Sequence, residues 1–168
     1  FYLTLTGLSK KTLKVTTTPC IDDHQMEPED FEDRGALHKE AARIVLKALY
    51  TARVARPDYY WTVNQLARKI TKWTKACDKR LHKLVGYINT TSNYTQYAFV
   101  GDYPEHCYLA LYADASYAGE EEISYSTSGA YMCLCGPRTF VPISWLCKKQ
   151  TAISHSSAEA EVIALDAA

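Results

Sequence analysis

The 168 residues are 47% apolar and 23% charged with no net charge at pH 7, a balance that excludes disordered and fibrous classes. The longest apolar run is far short of the roughly 20 residues that cross a bilayer. No signal peptide is visible, so the expectation is an intracellular chain with no membrane partner. The neutral total hides an asymmetry. Residues 1–101 hold 16 Lys+Arg against 10 Asp+Glu, residues 102–168 hold 3 against 9, and within 34–83 the count is 13 against 3. A basic block before an acidic one predicts two parts with different jobs, the first suited either to phosphates or simply to solvated helix faces.

In chain order, Phe1–Thr6 (FYLTLT) alternates and reads as a strand end. Residues 8–34 are polar, with acidic clusters at Asp22–Asp23 and Glu27–Asp33, and read as a linker. Leu37, Ala41, Ile44, Val45 and Ala48 fall at helical spacing within 35–54. Arg56-Pro57-Asp58 breaks that helix, because a residue before proline avoids the helical region. A second helix is predicted over 59–72, and a third from an N-cap at Thr74 to about Ile88. In the third, Leu81, Leu84 and Val85 face inward while Lys79, Arg80 and Lys83 face out.

Tyr94–Val100 reads as strand-like and Gly101–Pro104 as a turn. Cys107–Ala113 reads as a strand buried on both faces. Thr127–Cys135 and Phe140–Cys147 follow as two more strands around a turn at Gly136-Pro137-Arg138. Pro142 points to an edge or a bulge, and a helix opens at Ser156. The six cysteines sit mostly in apolar segments. Cys133 and Cys135 share a strand face, but no second Cys or His pair at zinc spacing accompanies them. They read as free thiols of a reducing compartment. The five histidines have no Ser or Cys partner at triad spacing. Trp61, Trp73 and Trp145 read as packing residues before base-stacking ones.

Asp114 follows the strongest strand in the string YADASYAG, where Ala115, Ser116 and Gly119 would let a substrate approach. The bland alternative is a turn aspartate bonding its own backbone. In SSAEAEVIAL, Ser156 and Glu159 fit a capping box, which leaves Glu161 without a structural role. Glu161 and Glu159 are about 200° apart on the helix and serve different sites. A strand aspartate and a helix glutamate on one sheet suit an oxygen-loving cation such as Mg²⁺. Two-metal phosphodiester cleavage needs several such carboxylates, and two are too few to fix the pair of ions.

The strings DASYAG, STSGAY (126–131), ISWLCKKQ (143–150) and SSAEAEVIAL (156–165) resemble, in order, the ribonuclease H domain of copia-type retrotransposon polyproteins. Upstream, ALYTARVARPDYYWTVNQLARKITKWTKACDKRLHKLVGYINTT resembles the segment joining the reverse transcriptase to that domain, and together they cover about residues 37–168. The resemblance implies a mixed α/β fold: an incomplete ribonuclease-H-like fold preceded by a basic three-helix segment. It divides the chain into 1–34 from the preceding polymerase region, 35–93 as a basic thumb or connection segment, and 94–168 as the first half of the nuclease domain.

The resemblance also implies Mg²⁺- or Mn²⁺-dependent cleavage of the RNA strand of RNA–DNA hybrids. Asp114 and Glu161 would be metal-binding catalytic carboxylates, and the rest of the reverse transcriptase polyprotein a partner. Ser116, Ser156 and Ser157 are candidate contacts to a phosphate or 2′-hydroxyl. The chain departs from the family pattern at Tyr117 (usually Trp), Ser124-Tyr125 (usually a basic residue), Cys147 (usually Ser) and Val162 (often aromatic). It reaches only seven residues past Glu161, so a third and fourth carboxylate are expected beyond it, with low activity for these residues alone and an unpaired sheet edge. Two competing expectations are a non-catalytic module gripping nucleic acid through residues 35–90 and a decayed element relic.

Overall fold

The computed structural model describes residues 1–116 and 125–168. Tyr117, Gly119 and Ser124, singled out above, lie outside them. Two compact units form, Phe1–Thr95 and Gln96–Ala168. The first is helical and the second is built on an antiparallel sheet. Among the described residues no helix is long and apolar enough to cross a membrane.

In the first unit, Phe1–Thr6 is not a strand. Tyr2–Thr6 forms helix α1, ended by Gly7 in the left-handed region at φ 67°. Alternation over six residues cannot separate the two states, and packing decides. The Tyr2 ring is buried in the helical core and its hydroxyl meets His82 Nδ1 at 3.0 Å. Burial, and secondarily the charge of Asp78, pushes the Tyr2 hydroxyl up to about 12.

The linker reading of 8–34 also needs correction. Pro28–Glu32 forms α2, started by Pro28 and a reciprocal cap between Glu27 and Asp30. Asp30 is buried and bonds Lys79 and the Glu27 N–H, with Lys75 Nζ at 3.2 Å. The acidic cluster therefore ties this segment to the basic helix α5 (Lys75–Thr90). The Lys79 hydrogen bond holds the Asp30 carboxyl below its usual range. A folded-state value below the unfolded one stabilises fully above the unfolded value, near 3.9, and is lost as pH falls through the folded one. Asp30→Asn is therefore expected to flatten the acid limb of the stability curve, followed by helical circular dichroism. An unchanged acid limb would remove Asp30 from that role.

Helix α3 spans Ala41–Val54, starting six residues later than its pattern suggested. Gly35 is the reason. It lies against the Trp73–Thr74 backbone, where a Cβ would stand 2.5 Å from the Thr74 carbonyl oxygen. Asp78 of α5 then accepts from the N–H groups of Ala36 (2.5 Å) and Leu37 (3.3 Å) and from Trp73 Nε1 (2.7 Å). These bonds hold the entry in turns.

The predicted 59–72 helix is a 3-10 turn at Pro57–Tyr59, helix α4 (Tyr60–Arg68) and a second 3-10 turn at Ile70–Lys72. Thr74 is the N-cap residue of α5, but its hydroxyl donates to Cys77 Sγ at 3.5 Å rather than capping the helix. Ile44, Val45, Val63, Leu66, Leu81 and Leu84 of α3, α4 and α5 form the core.

In the second unit, strands β1 (Tyr108–Ser116), β2 (Thr127–Gly136) and β3 (Thr139–Lys149) pair antiparallel in the order β1-β2-β3. Helix α6 (Ser157–Asp166) packs on β1 and β2 and buries Ala160 and Ala164. Three strands followed by a helix on the sheet are consistent with a partial ribonuclease-H-like fold. Tyr94–Val100 does not form a strand. Only Phe99 pairs, exchanging two 2.9 Å backbone bonds with Phe140, and Tyr97 and Phe99 stay exposed. Pro142 fulfils its prediction, because the β2–β3 register shifts beside it on an outer strand.

β1 forms but is not buried on both faces. Leu109 is 64% and Tyr112 61% exposed, on opposite faces. The apolar run marks it as a strand, while coverage depends on what packs against it, and α6 reaches only part of one face.

Candidate functional site

Asp114 lies within β1, two residues before its end, rather than following the strand. It pairs with Gly129 of β2, and a side chain at Gly129 would meet nothing nearer than the Asp114 carbonyl oxygen at 3.8 Å. Open space therefore flanks the carboxylate. Side chains alternate along a strand, so Asp114 shares a face with Tyr112 and its cross-strand partner Tyr131. Tyr131 stacks on Trp145 of β3 at 6.2 Å between centroids and 15° between planes.

Ala113, Ala115 and Ser128 lie on the other face. There the buried Gln150 side chain joins sheet to helix. Its Nε2 donates to Ser128 Oγ (3.0 Å) and to the Ala160 carbonyl of α6 (2.9 Å), and its Oε1 accepts from Ser154 Oγ (2.8 Å). The small side chains of this face let the helix approach. Glu161 follows buried Ala160 and is exposed. The sheet thus holds both carboxylates in one unit, but the Asp114 side chain leaves β1 on the face opposite the one α6 covers.

Asp114 and Glu161 are both exposed, and among the described residues neither carries an ion pair or a side-chain hydrogen bond. As donors they suit Mg²⁺ in kind, since it takes carboxylate oxygens and keeps several waters. They do not suit it in number. Among the described residues no group of three or more His, Cys, Asp or Glu could hold a metal ion.

The α6 entrance confirms the separation of Glu159 from Glu161. Ser156 Oγ accepts the Glu159 N–H at 3.1 Å, and Glu159 Oε2 accepts the His155 N–H at 2.7 Å, one residue further back than in a standard capping box. Ser156 thus has a capping role, while Ser116 and Ser157 are exposed. Trp73 is buried, and Trp61 is 43% exposed. Cys133 and Cys135 Sγ lie 3.5 Å apart. Burial, and then Cys135, pushes the Cys133 thiol up.

Two features escaped the sequence reading. Gln150 ends the KKQ string, and a glutamine just past an apolar strand carries no distinctive signal. In the helical unit, Arg56 grips Asp58 through two bonds (2.9 and 2.8 Å) and the Thr91 carbonyl and hydroxyl (3.2 and 2.6 Å). Charges of opposite sign flanking Pro57 were visible, but their partner Thr91 is remote in sequence.

Relatives bear on what this arrangement belongs to. The chain is 31% identical over 119 residues to the Retrovirus-related Pol polyprotein from transposon RE1 of Arabidopsis thaliana, and 30% identical over 119 to that from transposon RE2. Each match takes in 71% of this chain and 8% of the polyprotein. It is also 31% identical over 121 residues to the Secreted RxLR effector protein 161 of Plasmopara viticola, covering 71% of this chain and 80% of that protein. The two Pol polyprotein matches support a retroelement origin. The chain spans less than a tenth of the length of these two polyproteins. No family model and no solved structure matches it.

Proposed function

We propose that this chain is the copia-type segment in which a helical connection leads into a ribonuclease H domain, and that Asp114 and Glu161, which lie on opposite sides of the sheet here, would each supply a carboxylate for Mg²⁺- or Mn²⁺-dependent hydrolysis of RNA in RNA–DNA hybrids only together with further carboxylates. The observation that carries the reading is Asp114 itself. It is an exposed strand carboxylate with no side-chain partner among the described residues, beside the open space at Gly129, in a chain of Pol ancestry. A carboxylate kept for structure would ordinarily hold an N–H or a cation, as Asp30, Asp58 and Asp78 do here.

Titrating the chain with Mn²⁺ tests this, because the ion broadens nearby backbone resonances. Broadening is expected around Asp114 and Gly129 and around Glu161, with the first lost in Asp114→Asn and the second in Glu161→Gln. Broadening indifferent to both substitutions would refute the assignment. Hybrid cleavage is expected to stay near background with two carboxylates. Robust Mg²⁺-dependent cleavage abolished in Asp114→Asn would show that the pair suffices.

The competing reading, a duplex-gripping module, depends on free bases in the helical unit. Several are engaged internally: Arg80 with Asp23, Lys79 with Asp30, Lys75 with Asp30 and Asp33, and Arg56 with Asp58. That leaves fewer cations for phosphates than the charge count of 34–83 suggested, and it weakens this alternative.

A further inference from the structure

Cys133 and Cys135 stand two residues apart on β2, the central strand of the sheet, and their side chains leave it on one face. Their Sγ atoms lie within 3.5 Å of each other. Residues at this spacing are about 6.4–6.8 Å apart between Cα atoms, at the upper end of the roughly 4.4–6.8 Å span that disulfides bridge. Rotation of the two side chains toward one another can therefore join the sulfurs. The bond would be strained and readily opened by a thiol reductant. Among the described residues no group of three or more His, Cys, Asp or Glu makes the pair part of a metal set.

The two thiols differ in access. Cys133 is fully buried, while Cys135 is partly exposed. Hydrogen-bonded neighbours cover the backbone of a central strand on both sides, so the exposure of Cys135 falls mainly on its side chain. Its cross-strand neighbours, Tyr108 on β1 and Phe140 on β3, are 63% and 49% exposed, so this end of the sheet face is open to solvent. Burial pushes the Cys133 thiol up, which keeps it protonated and makes it the poorer direct target of an oxidant. What Cys133 reaches instead is the sulfur beside it.

We propose that Cys133 and Cys135 form a reversible peroxide-oxidation site, in which Cys135 meets the oxidant and Cys133 resolves the product. The Cys135 thiolate attacks one oxygen of hydrogen peroxide, the O–O bond breaks, and the leaving hydroxide takes a proton and departs as water. The sulfenic acid so formed condenses with the neighbouring thiol. The Cys133 sulfur bonds to the Cys135 sulfur, the S–O bond breaks, and the hydroxyl leaves as water with the Cys133 proton. Two thiols have lost two electrons, and peroxide has become two waters. The site belongs to the sheet unit and does not depend on the roles of Asp114 and Glu161.

The test treats the whole chain with hydrogen peroxide in the presence of dimedone, which captures sulfenic acids, and locates the products by tandem mass spectrometry. The native chain is expected to lose two hydrogens across residues 133–135 and to regain them with dithiothreitol, with little dimedone bound. In Cys133→Ala the sulfenic acid has no resolving partner, and dimedone is expected on Cys135. In Cys135→Ala, Cys133 is expected to stay unmodified at the peroxide dose that oxidises the native pair. The mass change in the native chain is informative even if Cys133→Ala fails to fold. Dimedone on Cys133, a bond from either cysteine to a different one, or both thiols unmodified in the native chain would overturn the proposal.

Discussion

Arg56→Ala is expected to destabilise the helical unit by about 2–4 kcal/mol, the range for breaking a partly buried charged network. The guanidinium sits between the end of α3 and the end of α5. It bonds both Asp58 oxygens and two oxygens of Thr91, and lies 5.1 Å from the Tyr59 ring centroid. The Tyr87 hydroxyl donates to Asp58 Oδ2 at 2.8 Å. Truncating the arginine leaves the Thr91 carbonyl with only the Tyr94 N–H and the partly exposed Asp58 carboxylate with only the Tyr87 hydroxyl. Burial alone would raise the Asp58 carboxyl, but the bonds from Arg56 and Tyr87 hold it below its usual value.

That depressed value means Asp58 stabilises above the unfolded carboxylate range and loses this contribution as pH falls through the folded one. Arg56→Lys should recover less than half the loss, because an ammonium cannot reproduce the planar fork. Urea midpoints at neutral pH, read by helical circular dichroism, check both variants. A loss under about 1 kcal/mol would place the pair with ordinary surface bridges.

Gln150→Leu is expected to cost about 2–4 kcal/mol and to loosen α6. Leucine fills similar volume but leaves Ser128 Oγ and Ser154 Oγ without their amide partner, each costing about 1–2 kcal/mol, the lower part of the range for a buried unpaired group, while the Ala160 carbonyl keeps the helical bond its place inside α6 provides. The α6 amides should then exchange faster than those of β2. This bears on the candidate site, because Glu161 is held near the sheet by the turn that Ala160 anchors. Unchanged exchange in α6 would mean that Ala160 and Ala164 packing suffices without the amide.

The core positions were legible because helical spacing reports which side of a helix is apolar. Ile44, Val45, Leu81 and Leu84 lie on the predicted apolar faces and are buried, while Val85, also expected to face inward, is half-buried. The three strands were legible as apolar runs separated by turn residues, and Pro142 marked its irregularity by lacking an N–H. The five-residue helix at Tyr2–Thr6 was not legible, because so short a segment has too few repeats to distinguish periods. Nor was the entry to α3, where backbone contact at Gly35 and bonds from Asp78 override a good local pattern.

By itself the sequence determined that this chain has a basic helical part and an acidic sheet part, that Glu159 caps its helix, and that Glu161 is a carboxylate without a local task. These follow from charge, periodicity and short-range capping, all of which act between neighbours along the chain. Only the tertiary structure decided that Asp30 and Asp78 bind bases and N–H groups distant in sequence, that Thr91 and Tyr87 join the Arg56–Asp58 pair, that β1 stays exposed, and that Gln150 joins α6 to the sheet face opposite the Asp114 side chain. Those outcomes depend on which groups meet across the fold, where a buried polar atom must find a partner wherever one stands.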